Sequence, residues 1–244
     1  MLSKISAVIP AHNEEGRIGL VLNVLVSAKL FAEIIVVDDA SSDNTSTEVK
    51  NNFPTVRLIK KKKTNGKADA MILGAKKAIN DVLFFCDADL INLKKQHLMQ
   101  LITPVLSGEL RMSIGVQEYI APFKGDKNYK KFKAWFNNFG GGGRPYLNEY
   151  VKGMGGERVL FKKDFLKIKS LKGSHYGVEQ ELNLHFLKNN LKFRYFVLKD
   201  VSHFSKIEKW GYLKGIIKEF NYLRIAVYYL FARLIIKLKK TIDK

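Results

Sequence analysis

The sequence predicts an α/β protein built on a mostly parallel, doubly wound sheet. Short apolar runs without polar alternation, Ile5–Ile9, Ile34–Val37 and Val82–Cys86, read as strands buried on both faces. Segments with helical apolar spacing lie between them, giving the alternation of βαβ units. Two of the runs end in paired carboxylates, Asp38-Asp39 and Asp87-Ala88-Asp89. Open α/β sheets bind ligands beyond the carboxyl ends of their strands, so both pairs fall on one ligand-facing edge.

The first strand, Ile5–Ile9, ends at Pro10. Ala11-His12-Asn13-Glu14-Glu15-Gly16 is polar and suits a loop. Asn13 or a neighbour can cap the helix that follows, and the glutamates suit its positive end. Ile18, Val21, Leu22 and Leu25 carry the helical spacing. The second strand is Glu33–Val37, a helix starts at Asp43-Asn44-Thr45, and Val56–Ile59 is the third strand. Lys60–Lys63 reads as a solvated run. Lys67 differs: it follows Gly66 and opens a helix through Ala70, Leu73, Ala75 and Ile79. A lysine at such a junction can meet a phosphate beside the helix N-terminus. The Walker spacing is absent.

The run Val82-Leu83-Phe84-Phe85-Cys86 leads straight into Asp87-Ala88-Asp89. Side chains two apart on an extended chain point the same way, and two close carboxylates are costly unless a cation or a polyhydroxyl ligand lies between them. A site for Mg²⁺ or Mn²⁺ holding a diphosphate and a solvated turn capping the next helix both suit these residues.

Downstream, residues 94–106 read as a helix and Met112–Gln117 as a strand. Residues 119–138 interleave lysines with aromatics and suit a packed helix better than a base-stacking surface. Gly140–Gly143, followed by Arg144-Pro145, is a linker or a lid, and it lacks the dinucleotide fingerprint. Gly153-Met154-Gly155-Gly156-Glu157-Arg158 reads as a glycine-rich turn carrying one acid and one arginine. His175-Tyr176-Gly177-Val178-Glu179 leads into a helix from Glu181 to Asn189. Phe193–Val197 is a strand, and Val201-Ser202-His203 ends a short extended piece.

Composition sets the outer limits. The 244 residues carry 42 Lys and Arg against 23 Asp and Glu, a net charge of +19. That balance favours polyanions such as an anionic membrane, phosphorylated substrates or nucleic acid, or reflects a lysine-rich solvated surface. The single cysteine, Cys86, excludes an intramolecular disulfide and a cysteine-cluster metal site. Met1–Lys4 leads directly into a strand without the pattern of a signal peptide, so a reducing, cytoplasmic setting is expected. Residues 206–244 hold ten Lys/Arg against three acids, with apolar residues nearly all round. Their longest uncharged stretch, Ile225–Ala232, is far shorter than the roughly 20 residues of a spanning helix. Lying in the membrane interface, with cations snorkelling, fits this segment better than packing on a partner. The division expected is a domain over 1–205, in two halves (1–95 and 96–205), then the basic apolar helical segment 206–244.

The residues resemble a known family. Ala7-Val8-Ile9-Pro10-Ala11-His12-Asn13-Glu14-Glu15, Ile34–Thr45, Asn65-Gly66-Lys67-Ala68-Asp69-Ala70 and Asp87-Ala88-Asp89 resemble, in order and spacing, the nucleotide-sugar half of family-2 glycosyltransferases with the Rossmann-like GT-A fold. Gly155-Gly156-Glu157-Arg158, Tyr176-Gly177-Val178-Glu179 and Val201-Ser202-His203 resemble blocks of glucosyl-3-phosphoglycerate synthases and dolichyl-phosphate-type sugar transferases. Gly142-Gly143-Arg144-Pro145 looks like a shortened acceptor loop of the synthases.

The resemblance implies roles. Pro10, Ala11, Asn13 and Glu14 would line the base and ribose pocket, Asp39 would bind the base, and Lys67 the base or diphosphate. Asp87 would touch ribose or metal, Asp89 would hold Mg²⁺ or Mn²⁺ on the diphosphate, and His203 would be a further metal ligand. Glu179 or Glu157 would be the base if the reaction inverts the anomeric carbon; a phosphate acceptor would need none. The expected donor is a nucleotide-diphosphate sugar. The expected acceptor is a polyprenyl phosphate or other membrane-associated molecule, with the protein peripheral at the inner face of the membrane. A small phosphorylated acceptor is the alternative, and nucleic acid is not an expected partner. Two rivals start from the same residues. A haloacid-dehalogenase-type phosphatase shares the Asp-x-Asp strand end, but Leu90 follows here and Asp38-Asp39 is left unexplained. The other is a non-catalytic, basic membrane- or nucleic-acid-binding protein on the same scaffold.

Overall fold

The computed structural model describes residues 5–117, 155–171, 177–204 and 208–209. The expectations for 119–138, Gly140–Pro145, Gly153-Met154, His175-Tyr176 and most of 206–244 lie outside the described residues. Strand β1 (Ile5–Ala11) is followed by α1 (Ile18–Ala28), β2 (Glu33–Asp38), α2 (Thr45–Asn52), β3 (Arg57–Lys60), α3 (Lys67–Lys77) and β4 (Val82–Phe85). Then come β5 (Leu90–Ile91), α4 (Lys95–Leu106), β6 (Met112–Gln117), β7 (Arg158–Phe161) and α5 (Lys162–Leu166). The chain continues through α6 (Val178–Lys188), β8 (Phe193–Leu198) and β9 (Ser202–His203).

Among the described residues, seven strands form one sheet in the order β3-β2-β1-β4-β7-β6-β8. All neighbours run parallel except β7, which is antiparallel to both β4 and β6. From β1 the chain winds outward through β2 and β3, then returns to add β4 on the other side. The strand order therefore reverses between β1 and β4, and ligands of doubly wound sheets sit at that switch point.

Alternation along the strands sends neighbouring side chains to opposite faces. Ile5, Ala7 and Ile9, with Val36 and Phe84, pack under α1 and α4, whereas Val8, Ile35, Val37, Leu83 and Phe85 pack under α3 and α6. This explains why the strand sequences are apolar throughout. Strand β1 continues past its expected end. Pro10 is tolerated because its nitrogen faces the β4 side, as Val8 does, and β4 pairing stops at Val8–Phe85. The α3 helix lies so close to the sheet that a Cβ at Gly74 would stand 3.1 Å from Val37 Cγ2 and closer still to Val8 Cγ1. Overpacking of this kind costs about 1–3 kcal/mol, against the roughly 1 kcal/mol gained from helix propensity. Gly74→Ala is therefore expected to lower stability in urea unfolding, and a stabilised variant would contradict this packing.

Three elements differ from expectation. Strand β7 occupies what reads as the end of a glycine-rich turn. Helix α6 begins at Val178, so Glu179 lies in its first turn rather than before it. Asn13 caps no helix: α1 has no side-chain cap, and Asn13 instead adopts φ 57° and accepts from the Ser42 N–H at 2.8 Å.

Candidate functional site

The carboxyl ends of β1, β2 and β4 bring the expected residues to one edge. Past Phe85 the chain leaves the strand, so the two aspartates do not converge through strand alternation. They converge because β5, directly after Asp89, pairs antiparallel with β9, with Leu90 opposite His203. His203 Nε2 then lies 3.5 Å from Asp87 Oδ2 and 4.0 Å from Asp89 Oδ1. One donor atom from each of Asp87, Asp89 and His203 lies within 4.8 Å of the others. Ligands at about 2.1 Å from a shared ion stand at most about 4.2 Å apart, so a small closure would let all three reach one cation. Two carboxylate oxygens and one imidazole nitrogen form a donor set suited to Mn²⁺ or Mg²⁺. The Gln117 amide nitrogen lies along the His203 ring, against Nδ1 and 3.2 Å from Nε2, an outer contact of the kind that orients ligating histidines.

Lys67, the first residue of α3, reaches across the site. Its Nζ lies 2.7 Å from Asp87 Oδ1 and 2.5 Å from Glu179 Oε1. Burial would depress the ammonium's pKa, but the Asp87 and Glu179 charges outweigh it and hold Lys67 well above the ordinary lysine value. Burial would likewise raise Asp87, yet Lys67 and His203 hold it far below the usual carboxylate range. For His203, burial opposes the charged form, and contacts with Asp87 and Glu157 override it, pushing the imidazole up to about 10. In the ion-free site, lysine and imidazolium thus supply the positive charge between the acids. Burial, reinforced by Glu157, Asp87 and Asp89, pushes the Cys86 thiol well above its ordinary value. That keeps it a small buried hydrophobe, as its place in the apolar run suggests.

Gly155 and Gly156 let β7 close against this cluster. A Cβ on Gly156 would meet the Asp87 carboxylate, with Cγ at 2.7 Å, and one on Gly155 would strike the backbone of Gly115, with its carbonyl carbon at 2.9 Å. Glu157 is fully buried, 3.7 Å from His203 Nε2. Arg158, also fully buried, donates to Gly155 O at 3.0 Å and Asn183 Oδ1 at 2.8 Å.

On the β1–β2 side, Ala11 O accepts from the Asp39 N–H at 2.8 Å and Asn13 N–H donates to Ser41 Oγ at 2.9 Å, so the Pro10–Glu14 loop and the strand-end acids are one unit. Asp39 is buried. Its carboxylate accepts from Thr64 Oγ1 at 2.8 Å, Gly66 N–H at 2.8 Å and Asn65 N–H at 3.2 Å, and it pairs with Lys61, which also reaches Asp69 at 2.5 Å. These contacts fold the loop that presents Lys67. Burial works against the Asp39 anion, but Lys61, Thr64 and the two backbone N–H groups prevail and lower its pKa. A carboxylate lowered in the folded state adds stability above its unfolded value near 3.9, and that contribution is lost as pH falls through the folded value. Asp39→Asn should therefore be less stable than the parent at pH 6, with the gap narrowing as pH falls below about 4; a gap independent of pH in urea unfolding would contradict this.

Lys209 is the functional-site residue with no marker in the sequence. Its Nζ lies 2.5 Å from Asp89 Oδ2 and 2.7 Å from Glu14 Oε1, while Glu14 also pairs with Arg17 at 2.7 Å. In the sequence it is one of ten cations in a basic segment, and no spacing sets it apart. Gln117 likewise ends a strand without any motif.

The family model described as Glycosyl transferase family 2 matches residues 6–168. The 4,4'-diaponeurosporenoate glycosyltransferases of Staphylococcus haemolyticus (strain JCSC1435) and Staphylococcus aureus (strain USA300) are each 31% identical over 138 and 137 residues, which are 54% of this chain and 36% of theirs. The match thus spans about a third of the length of these curated relatives. Among solved structures, glucosyl-3-phosphoglycerate synthase from Mycobacterium tuberculosis with Mn²⁺, UDP-glucose and phosphoglyceric acid aligns with TM-score 0.70 at 22% identity, covering 94% of this chain and 79% of the synthase. The same synthase with Mg²⁺ and UDP aligns with TM-score 0.63 at 23% identity, covering 82% and 71%. At these identities the likeness is one of fold, and it matches the GT-A, Rossmann-like arrangement expected from the sequence.

Proposed function

The chain belongs to glycosyl transferase family 2, and from that premise we propose that it moves a sugar from a nucleotide-diphosphate sugar to a membrane-associated acceptor, a polyprenyl phosphate in the first instance. The observation that carries the donor half is the convergence of Asp87, Asp89 and His203 at the switch point of the sheet, flanked by Lys67 and Lys209. Asp87, Asp89 and His203 would hold Mn²⁺ or Mg²⁺, which as a Lewis acid neutralises charge on a departing diphosphate. Pro10, Ala11, Asn13 and Glu14 would line the base and ribose pocket. Asp39 would act at the base, and also through the loop it organises. Lys67 and Lys209 bring further positive charge to the same edge, where negative charge develops on the leaving group.

The acceptor half of the proposal rests on charge and apolar pattern. The net charge of +19 and the basic, apolar residues 206–244 suit an anionic membrane surface. No helix among the described residues is long and apolar enough to cross a membrane. An already ionised phosphate acceptor needs no strong base, which agrees with Glu179 being ion-paired to Lys67 rather than poised to take a proton. The test is to incubate the protein with UDP-, GDP- and ADP-sugars and Mn²⁺, alone, with polyprenyl phosphate in anionic vesicles, or with phosphoglycerate, and to follow nucleoside diphosphate release. Release that depends on the lipid phosphate is expected. Release from no donor would refute sugar transfer, and release stimulated by phosphoglycerate but not by lipid would refute the membrane acceptor.

A further inference from the structure

Glu157 stands apart from the other acids of the site. It is fully buried, and neither carboxylate oxygen has a hydrogen-bond partner among the described residues. Its contact with His203 Nε2, at 3.7 Å, is an ion pair beyond hydrogen-bond reach. A buried carboxylate left in this state is expensive, and a bound ion is one of the things that offsets such a cost. Its backbone is fixed: Glu157 O accepts from Gly115 N–H at 2.8 Å, and a side chain at Gly115 would press within 3.0 Å of Glu157 Cβ. The pairing with Gly115 therefore fixes where this carboxylate stands, on the Nε2 side of His203 that Asp87 and Asp89 also face.

Resting on the metal-site reading above, we propose that Glu157 is a positioning residue for the cation. It keeps the His203 ring turned with Nε2 toward Asp87 and Asp89, and it supplies a third negative charge that a divalent ion balances. The Gln117 amide holds the ring as well, against Nδ1 and 3.2 Å from Nε2. Asp87, Asp89 and His203 would hold the ion, and Glu157, facing the same Nε2 at 3.7 Å, would act beside them as a buried negative charge rather than as a ligand.

The test is Mn²⁺ binding to the full chain, measured by electron paramagnetic resonance, without donor or acceptor. Glu157→Gln keeps the shape and removes the charge. It should weaken Mn²⁺ binding about 10- to 100-fold and shrink the rise in Tm that saturating Mn²⁺ gives the parent. The ion-free Tm should stay near the parent's, because the amide gives up the ion pair with His203 but also the burial cost of the charge. A purely structural glutamate would do the reverse, lowering the ion-free Tm while leaving Mn²⁺ affinity unchanged. Glu157→Asp keeps the charge but retracts it by one methylene, and an intermediate affinity is expected. Parent-like Mn²⁺ affinity in both variants would overturn the proposal and leave the metal site standing. A parent that binds no Mn²⁺ would overturn the site itself, and the role of Glu157 with it.

Discussion

Asp89→Asn is expected to lower donor turnover by about 100-fold or more while the protein stays folded. The magnitude follows from what removing one preorganised charge-stabilising group costs in other enzymes, and here the loss falls on a carboxylate that meets both His203 and Lys209. The fold should tolerate it because neither cation is stranded. Lys209 keeps Glu14 at 2.7 Å, and His203 keeps Asp87 at 3.5 Å. A loss of no more than about 1–2 kcal/mol is expected, the worth of a charged hydrogen bond. Nucleoside diphosphate release at saturating Mn²⁺, paired with urea unfolding of the ion-free protein, separates the two effects. Parent-like turnover would remove Asp89 from the site; a collapse of stability matching the loss of turnover would make its role structural.

Different residues show how far the sequence reaches. The strand ends Asp38-Asp39 and Asp87–Asp89, and Lys67 at the head of its helix, were legible because each is marked locally, by an apolar run ending in acids or by a glycine before a helical pattern. The site residues brought by tertiary pairing carry no such local mark. His203 was offered by the family resemblance alone, because it reaches Asp89 through two strands of two residues each, too short to carry any period. Strand β7 was hidden by its own chemistry: Glu157-Arg158 reads as exposed and charged, yet both are fully buried. Arg158 is matched by Asn183 and by the Gly155 carbonyl, partners that only the fold supplies. Lys209 lies far along the chain from Glu14 and Asp89, and such a contact leaves no trace in spacing.

The same contacts explain why the site is a lattice of alternating charges rather than a cluster of acids. Asp87 meets Lys67 and His203, Glu179 meets Lys67, Asp89 meets Lys209, and Glu14 meets Arg17 and Lys209. Each cation but Arg17 bridges two or more of these acids, so the carboxylates can be held close together before any ion arrives. Bridging by Lys67, Lys209 and His203 restrains side-chain geometry, and restrained geometry is what metal and diphosphate binding require.

Lys67→Met should be the most destabilising single change in this lattice. It leaves Asp87 and Glu179 facing one another across a partly buried gap without their shared cation. Breaking a fully buried pair costs about 3–5 kcal/mol; with Lys67 about a quarter exposed, roughly 2–3 kcal/mol is expected. Turnover should fall as well, because Asp87 is then held only by His203. The cause can be isolated with Glu179→Gln. In the parent, that change removes a favourable ion pair and should cost stability. In the Lys67→Met protein it removes an orphaned charge and should restore at least about 1 kcal/mol. Opposite signs in the two backgrounds, read from urea unfolding of the ion-free protein, would establish that Lys67 serves as the common cation of β4 and α6. Equal costs in both would mean that the two carboxylates are stabilised independently, and that the lysine contributes to the site only through the ligand it meets.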